Sequence, residues 1–155
     1  MPLSVGLDKK MSQVEKAVQI FLDRDNCAQA ILATYGPEFG LDEESAINLS
    51  KLFGGGIVRQ GSFCGAVTGA LMVIGLKFGN IEKESDLNEK DAYDHAAEFL
   101  KEFKVNNGSY ICRELIKFDL TTPENRELAD KNEAFSNCSK YVRTAAEILE
   151  GMISI

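Results

Sequence analysis

The chain has 155 residues, with 17 Lys and Arg against 24 Asp and Glu for a formal net charge of −7. That length can bury a core without disulfide or metal staples, so a single domain spanning residues 1–155 is expected. The negative balance lacks the basic stripe that phosphate contacts require, which excludes nucleic acid as a partner.

The N-terminal stretch MPLSVGLDKKMSQ lacks the basic-then-apolar layout of a signal peptide, which points to a cytoplasmic protein. Met11, Val14, Ala17, Val18 and Phe21 recur at steps of three and four, predicting an amphipathic helix from near Asp8. A second helix begins at Cys27 behind the candidate cap Asn26 and stops at Gly36-Pro37. In LDEESAINLSKLFGGG, Asp42 caps a third helix whose inner face is read as Ala46, Leu49 and Leu52 or Phe53. The run GGGIVRQGS makes a glycine-rich turn ahead of a small-residue helix, capped near Gly61 or Ser62 and ending at Gly79. The apolar run Phe63 to Leu76 falls short of the roughly 20 residues that span a bilayer, so a buried central helix is expected and membrane insertion is not.

A polar loop is read over Asn80 to Asn88, followed by a helix with Tyr93, Ala96, Ala97, Leu100 and Phe103 facing inward. On that helix Asp91, Asp94 and Glu98 read as a solvated face, and His95, the chain's one histidine, as a boundary residue. Ser109 is the candidate cap of a short helix carrying Cys112, and Thr122-Pro123 opens another. Asn137 caps a final helix that starts at Cys138 and buries Tyr141 or Val142, Ala145, Ile148, Leu149 and Met152. No stretch alternates with period two. The expected fold is all-α, a compact bundle of seven to eight short helices around the central small-residue helix.

Cys27, Cys64, Cys112 and Cys138 are each more than twenty residues apart, with no CxxC pair, so local zinc-ribbon and thioredoxin signatures are missing. Cytosolic thiols stay reduced, which leaves catalysis, redox cycling and metal ligation to consider. All four fall in the first turn of a predicted helix. There the unpaired N–H groups and the helix dipole favour an anion, lowering a thiol's pKa and enlarging its thiolate fraction. Gly65 and Gly69, one turn apart, leave nearly bare backbone beside Cys64 and allow another helix start to approach. Cys64, in these uncrowded glycine-rich surroundings, is the expected most reactive thiol.

The segments NCAQAIL, FGGGIVRQGSFCGAVTGALMVIGLKFG, GSYICRELIKFDL and CSKYVRTAAEIL together resemble a family labelled redox-active for its four cysteines and CGAxxG motif, written C_GCAxxG_C_C. The likeness runs from about Asn26 to Glu150. It implies redox activity and places the family's cysteines on Cys27, Cys64, Cys112 and Cys138 and its motif glycines on Gly65 and Gly69.

Three functions fit these residues. Thiol/disulfide exchange with an unidentified redox partner uses poised thiolates. A Cys₄ zinc or iron–sulfur site uses the same sulfurs as ligands, although such ligands usually include close local pairs. In the third, Gly54, Gly55 and Gly56 expose backbone N–H groups and Arg59 adds a positive charge to bind a small-molecule anion.

Overall fold

Side-chain caps fix most of the helix starts. A computed structural model describes residues 11–79 and 91–153. The expected polar loop at Asn80 to Asn88 and the proposed start at Asp8 lie outside those residues. Helix α1 (Gln13–Arg24) is instead capped by Ser12, whose side chain accepts the Glu15 N–H. Met11 therefore precedes the helix and is exposed rather than on its inner face.

Asn26 accepts the Gln29 N–H at 2.9 Å and opens α2 (Cys27–Tyr35), as its sequence position predicts. Every residue from Ala28 to Tyr35 is buried, so α2 shares the centre with the small-residue helix. A 3₁₀ turn (Gly36–Phe39) follows, and Asp42 caps α3 (Glu43–Ser50) through the Ser45 N–H. Here the inner face differs from the sequence reading: Ala46 and Ser50 are buried, whereas Leu49 and Leu52 are exposed. Ser50 can face inward because its hydroxyl donates to the Ala46 carbonyl at 2.6 Å, satisfying its polar group within the helix.

Helix α4 (Gly65–Phe78) is the small-residue helix, buried along Gly65 to Ala70 and at Val73 and Ile74. Its N-cap is Cys64 itself, not Gly61 or Ser62. Helix α5 (Ala92–Asn107) opens with a capping box in which Asp91 and Asp94 each accept the other's backbone N–H. Phe99 and Phe103 are its buried positions, while Tyr93 is 86% exposed and does not join the core. His95 stacks on Phe78 with ring centroids 3.6 Å apart.

The short α6 (Cys112–Ile116) is preceded by Ile111, not Ser109, as N-cap. Ser109 still organises the turn, because its hydroxyl oxygen accepts the Ile111 N–H at 3.0 Å. Thr122 and Pro123 start α7 (Pro123–Lys131), and α8 (Cys138–Ile153) buries Tyr141, Val142, Ala145, Ala146, Ile148, Leu149 and Ile153. The described residues thus form eight α-helices in an all-α fold without strands. None of these helices is long and apolar enough to cross a membrane.

Candidate functional site

Each cysteine stands at a helix start: Cys27, Cys112 and Cys138 are the first residues of α2, α6 and α8, and Cys64 caps α4. Three backbone features bring these starts together. First, α4 meets α2 through its glycines. A Cβ on Gly65 would sit 3.0 Å from the Ala28 nitrogen and 3.1 Å from the Cys27 Cβ, and one on Gly69 3.0 Å from the Ala28 carbonyl oxygen. Any larger residue would push the α2 start, and Cys27 with it, away from Cys64.

Second, an isolated antiparallel bridge joins Phe63 to Ile111. The Cys64 N–H donates to the Tyr110 carbonyl at 2.9 Å and the Cys112 N–H to the Ser62 carbonyl at 2.6 Å. The chain segments leading into α4 and α6 are thereby clamped side by side.

Third, the glycine-rich run coils left-handedly. Gly55, Gly56, Ile57, Val58 and Arg59 all have φ between 52° and 76°. Non-glycine residues in that region cost ~1–2 kcal/mol each, and branched Ile57 and Val58 are rare there. The coil persists because its amides from Ile57 to Ser62 all donate to backbone carbonyls of residues 52–57. Those six amides are therefore committed within the coil. Arg59 is exposed at the coil's surface. Gly56 has a steric role: a Cβ there would lie 2.7 Å from the Cys112 Cβ and 2.6 Å from the Ser62 nitrogen.

The electrostatics separate Cys27, Cys64 and Cys112, although their shared helix-start position predicts the same shift for each. Cys64 is lowered, chiefly by the Cys27 side chain and then by the first-turn amides of Ala66 and Val67. No side-chain capping bond is formed at Cys64, so those amides act on the sulfur through their field. Cys27 is raised, first by its interactions with Cys138 and Cys64 and then by burial. The Gln29 amide that could have supported a Cys27 thiolate is occupied by Asn26. Burial, followed by the charges of Cys64 and Cys138, pushes Cys112 up to about 12. Its helix spans five residues and supplies too little dipole to compensate.

The mutual influence of Cys27, Cys64, Cys112 and Cys138 puts the four in one neighbourhood. Cys27 is partly exposed and the others are buried, Cys64 being 4% accessible. The site is thus crowded, unlike the open surroundings expected of Cys64: the glycines admit neighbouring helices. Among the described residues no group of three or more His, Cys, Asp or Glu side chains is disposed to hold a metal ion.

A family model described as "Putative redox-active protein (C_GCAxxG_C_C)" matches residues 25–152. The chain belongs to this family. The matched span contains all four cysteines, the left-handed coil and both motif glycines, so the family's pattern covers the whole sulfur neighbourhood. No curated protein and no solved structure matches the chain.

One neighbour of the site escapes a search for cysteines and glycines. Tyr141 reads from its spacing as a core residue of α8, yet burial and the charges of Cys138 and Cys64 raise its phenol, whose hydroxyl donates to the Leu115 carbonyl at 3.3 Å. Only its position one turn beyond Cys138 could have signalled this role.

Proposed function

We propose that this protein performs thiol/disulfide exchange, with Cys64 as attacking thiolate and Cys27 as resolving thiol. The observation that carries the reading is the close approach of α2 to α4 across Gly65, where a Cβ would lie 3.1 Å from the Cys27 Cβ; there the Cys27 side chain lowers the Cys64 thiol while Cys27 itself is raised. The Cys64 sulfur attacks one sulfur of a disulfide, the S–S bond breaks, and the leaving thiolate takes a proton from solvent. Cys27 then loses its proton and attacks the mixed disulfide, releasing the second thiol. Two protein thiols are oxidised by two electrons and the substrate disulfide is reduced by the same two. A cytoplasmic location, where thiols are held reduced, suits a protein that must begin as a dithiol.

Residue-resolved alkylation by mass spectrometry tests this. Near pH 7 iodoacetamide should modify Cys64 first, and Cys64→Ser should abolish the fast phase while retaining helical circular dichroism. Uniformly slow labelling of all four thiols in the native chain would overturn the assignment.

A further inference from the structure

Helices α2, α4 and α8 pack against one another pairwise. Two sets of contacts fix their sense. Gly65 faces Cys27 and Ala28, and Gly69, one turn on, faces Ala28 and Ile31, so α4 runs beside α2 in the same direction. The last residue of α2, Tyr35, is fully buried and donates its hydroxyl to Glu150 Oε2 at 2.7 Å, near the end of α8. The opposite ends of those two helices meet as well, because the Cys27 side chain interacts with Cys138 as directly as with Cys64. Three parallel helices therefore start together, with Cys27 and Cys138 as first residues and Cys64 as a cap.

In this arrangement Cys27 is the shared sulfur, with Cys64 on α4 and Cys138 on α8 as its two neighbours. A disulfide between Cys27 and Cys64 would leave Cys138 beside the Cys27 sulfur. Two features favour attack there. The sulfur released is Cys64, whose thiol is lowered, and a more acidic thiol leaves faster. The negative charge that arrives on Cys64 is met by the first-turn amides of Ala66 and Val67, so the leaving group is already solvated by backbone.

We propose that Cys138 is a second resolving thiol, which takes Cys27 over from Cys64 in an internal disulfide relay. The relay rests on the exchange chemistry above. Cys138 gives its proton to solvent and its sulfur attacks that of Cys27. The Cys27–Cys64 bond breaks, the Cys27–Cys138 bond forms, and Cys64 leaves as thiolate. One disulfide is lost and one gained, so no electrons enter or leave the chain in this step. The disulfide won from a substrate then rests between α2 and α8, and Cys64 is returned in its reactive form.

Oxidation of the fully reduced chain by one equivalent of diamide, quenched with acid at intervals and mapped by mass spectrometry, tests the relay. Cys27–Cys64 should dominate the earliest samples and Cys27–Cys138 the late ones. Over the same interval the fast phase of iodoacetamide labelling, which belongs to Cys64, should vanish and then return. In Cys138→Ser and Cys138→Ala, each checked for parental helical circular dichroism, Cys27–Cys64 should persist and the fast phase should stay lost. A parent chain that keeps Cys27–Cys64 throughout, or whose late disulfide holds Cys112, would overturn the relay and leave the exchange reading standing. If Cys27–Cys64 forms at no time in the parent or in either variant, the exchange reading and the relay fall together.

Discussion

At the residue scale, the site depends on an asymmetry between two thiols whose sequence settings look alike. Cys27 and Cys64 both begin helices, yet Asn26 takes an amide from one thiol and the α4 amides of Ala66 and Val67 favour the other. The lowered Cys64 therefore reaches its thiolate form at a lower pH than an ordinary cysteine, whose pKa is about 8.5. Its alkylation rate should plateau below that value, whereas Cys112, pushed up to about 12, should label only in strong alkali. Because Cys64 is 4% accessible, a small N-alkyl maleimide should outpace a polymer-linked maleimide at this position, and urea should largely erase the difference. Equal rates for both reagents on the folded chain would contradict a buried nucleophile. The four cysteines and their helix-start placement were legible in the sequence. Their unequal ionisation was not, because it comes largely from burial and from the other cysteines, 26 to 111 positions away in the chain.

At the scale of elements, the CGAxxG glycines act as spacers. Gly65→Ala places a methyl 3.0 Å from the Ala28 nitrogen and 3.2 Å from the Phe53 carbonyl oxygen, both backbone atoms that cannot swing aside. We expect a loss of about 1–3 kcal/mol in denaturant unfolding, as for other overpacked cores, and a slower fast phase of alkylation as Cys27 is displaced. Gly56→Ala should be worse. It combines φ +76° with contacts of 2.6 Å to the Ser62 nitrogen and 2.7 Å to the Cys112 Cβ. Helix existence was legible through the caps Asn26, Asp42 and Thr122, each of which bonds as its residue type predicts, whereas Asp91, read as part of a solvated face, caps α5. The inward placement of Leu49, Leu52 and Tyr93 was misread, because apolar spacing alone does not say which stripe a partner helix covers. The left-handed coil was hidden for a different reason. Three glycines announce a turn, but nothing local foretells that Ile57, Val58 and Arg59 follow them into the same strained region; backbone bonds across residues 52–62 hold them there.

At the scale of the whole molecule, titration should couple the site to stability. Cys27, Cys112, Tyr35 and Tyr141 all have folded-state pKa values above their ordinary ones. Each stays protonated in the fold after its unfolded counterpart has ionised, so stability should be intact below about pH 8.5 and fall as pH climbs toward 12. Chemical denaturation across that range should show the decline, and Cys112→Ser should blunt it; a flat profile would contradict the burial assigned to these groups. The central claim is that Cys27 and Cys64, 37 residues apart in sequence, meet as a working pair. Its most direct test is peptide mapping after one equivalent of diamide, a two-electron thiol oxidant, followed by alkylation of the remaining thiols. A Cys27–Cys64 disulfide within one chain is the predicted first product; disulfides only between chains, or four thiols still free, would contradict it.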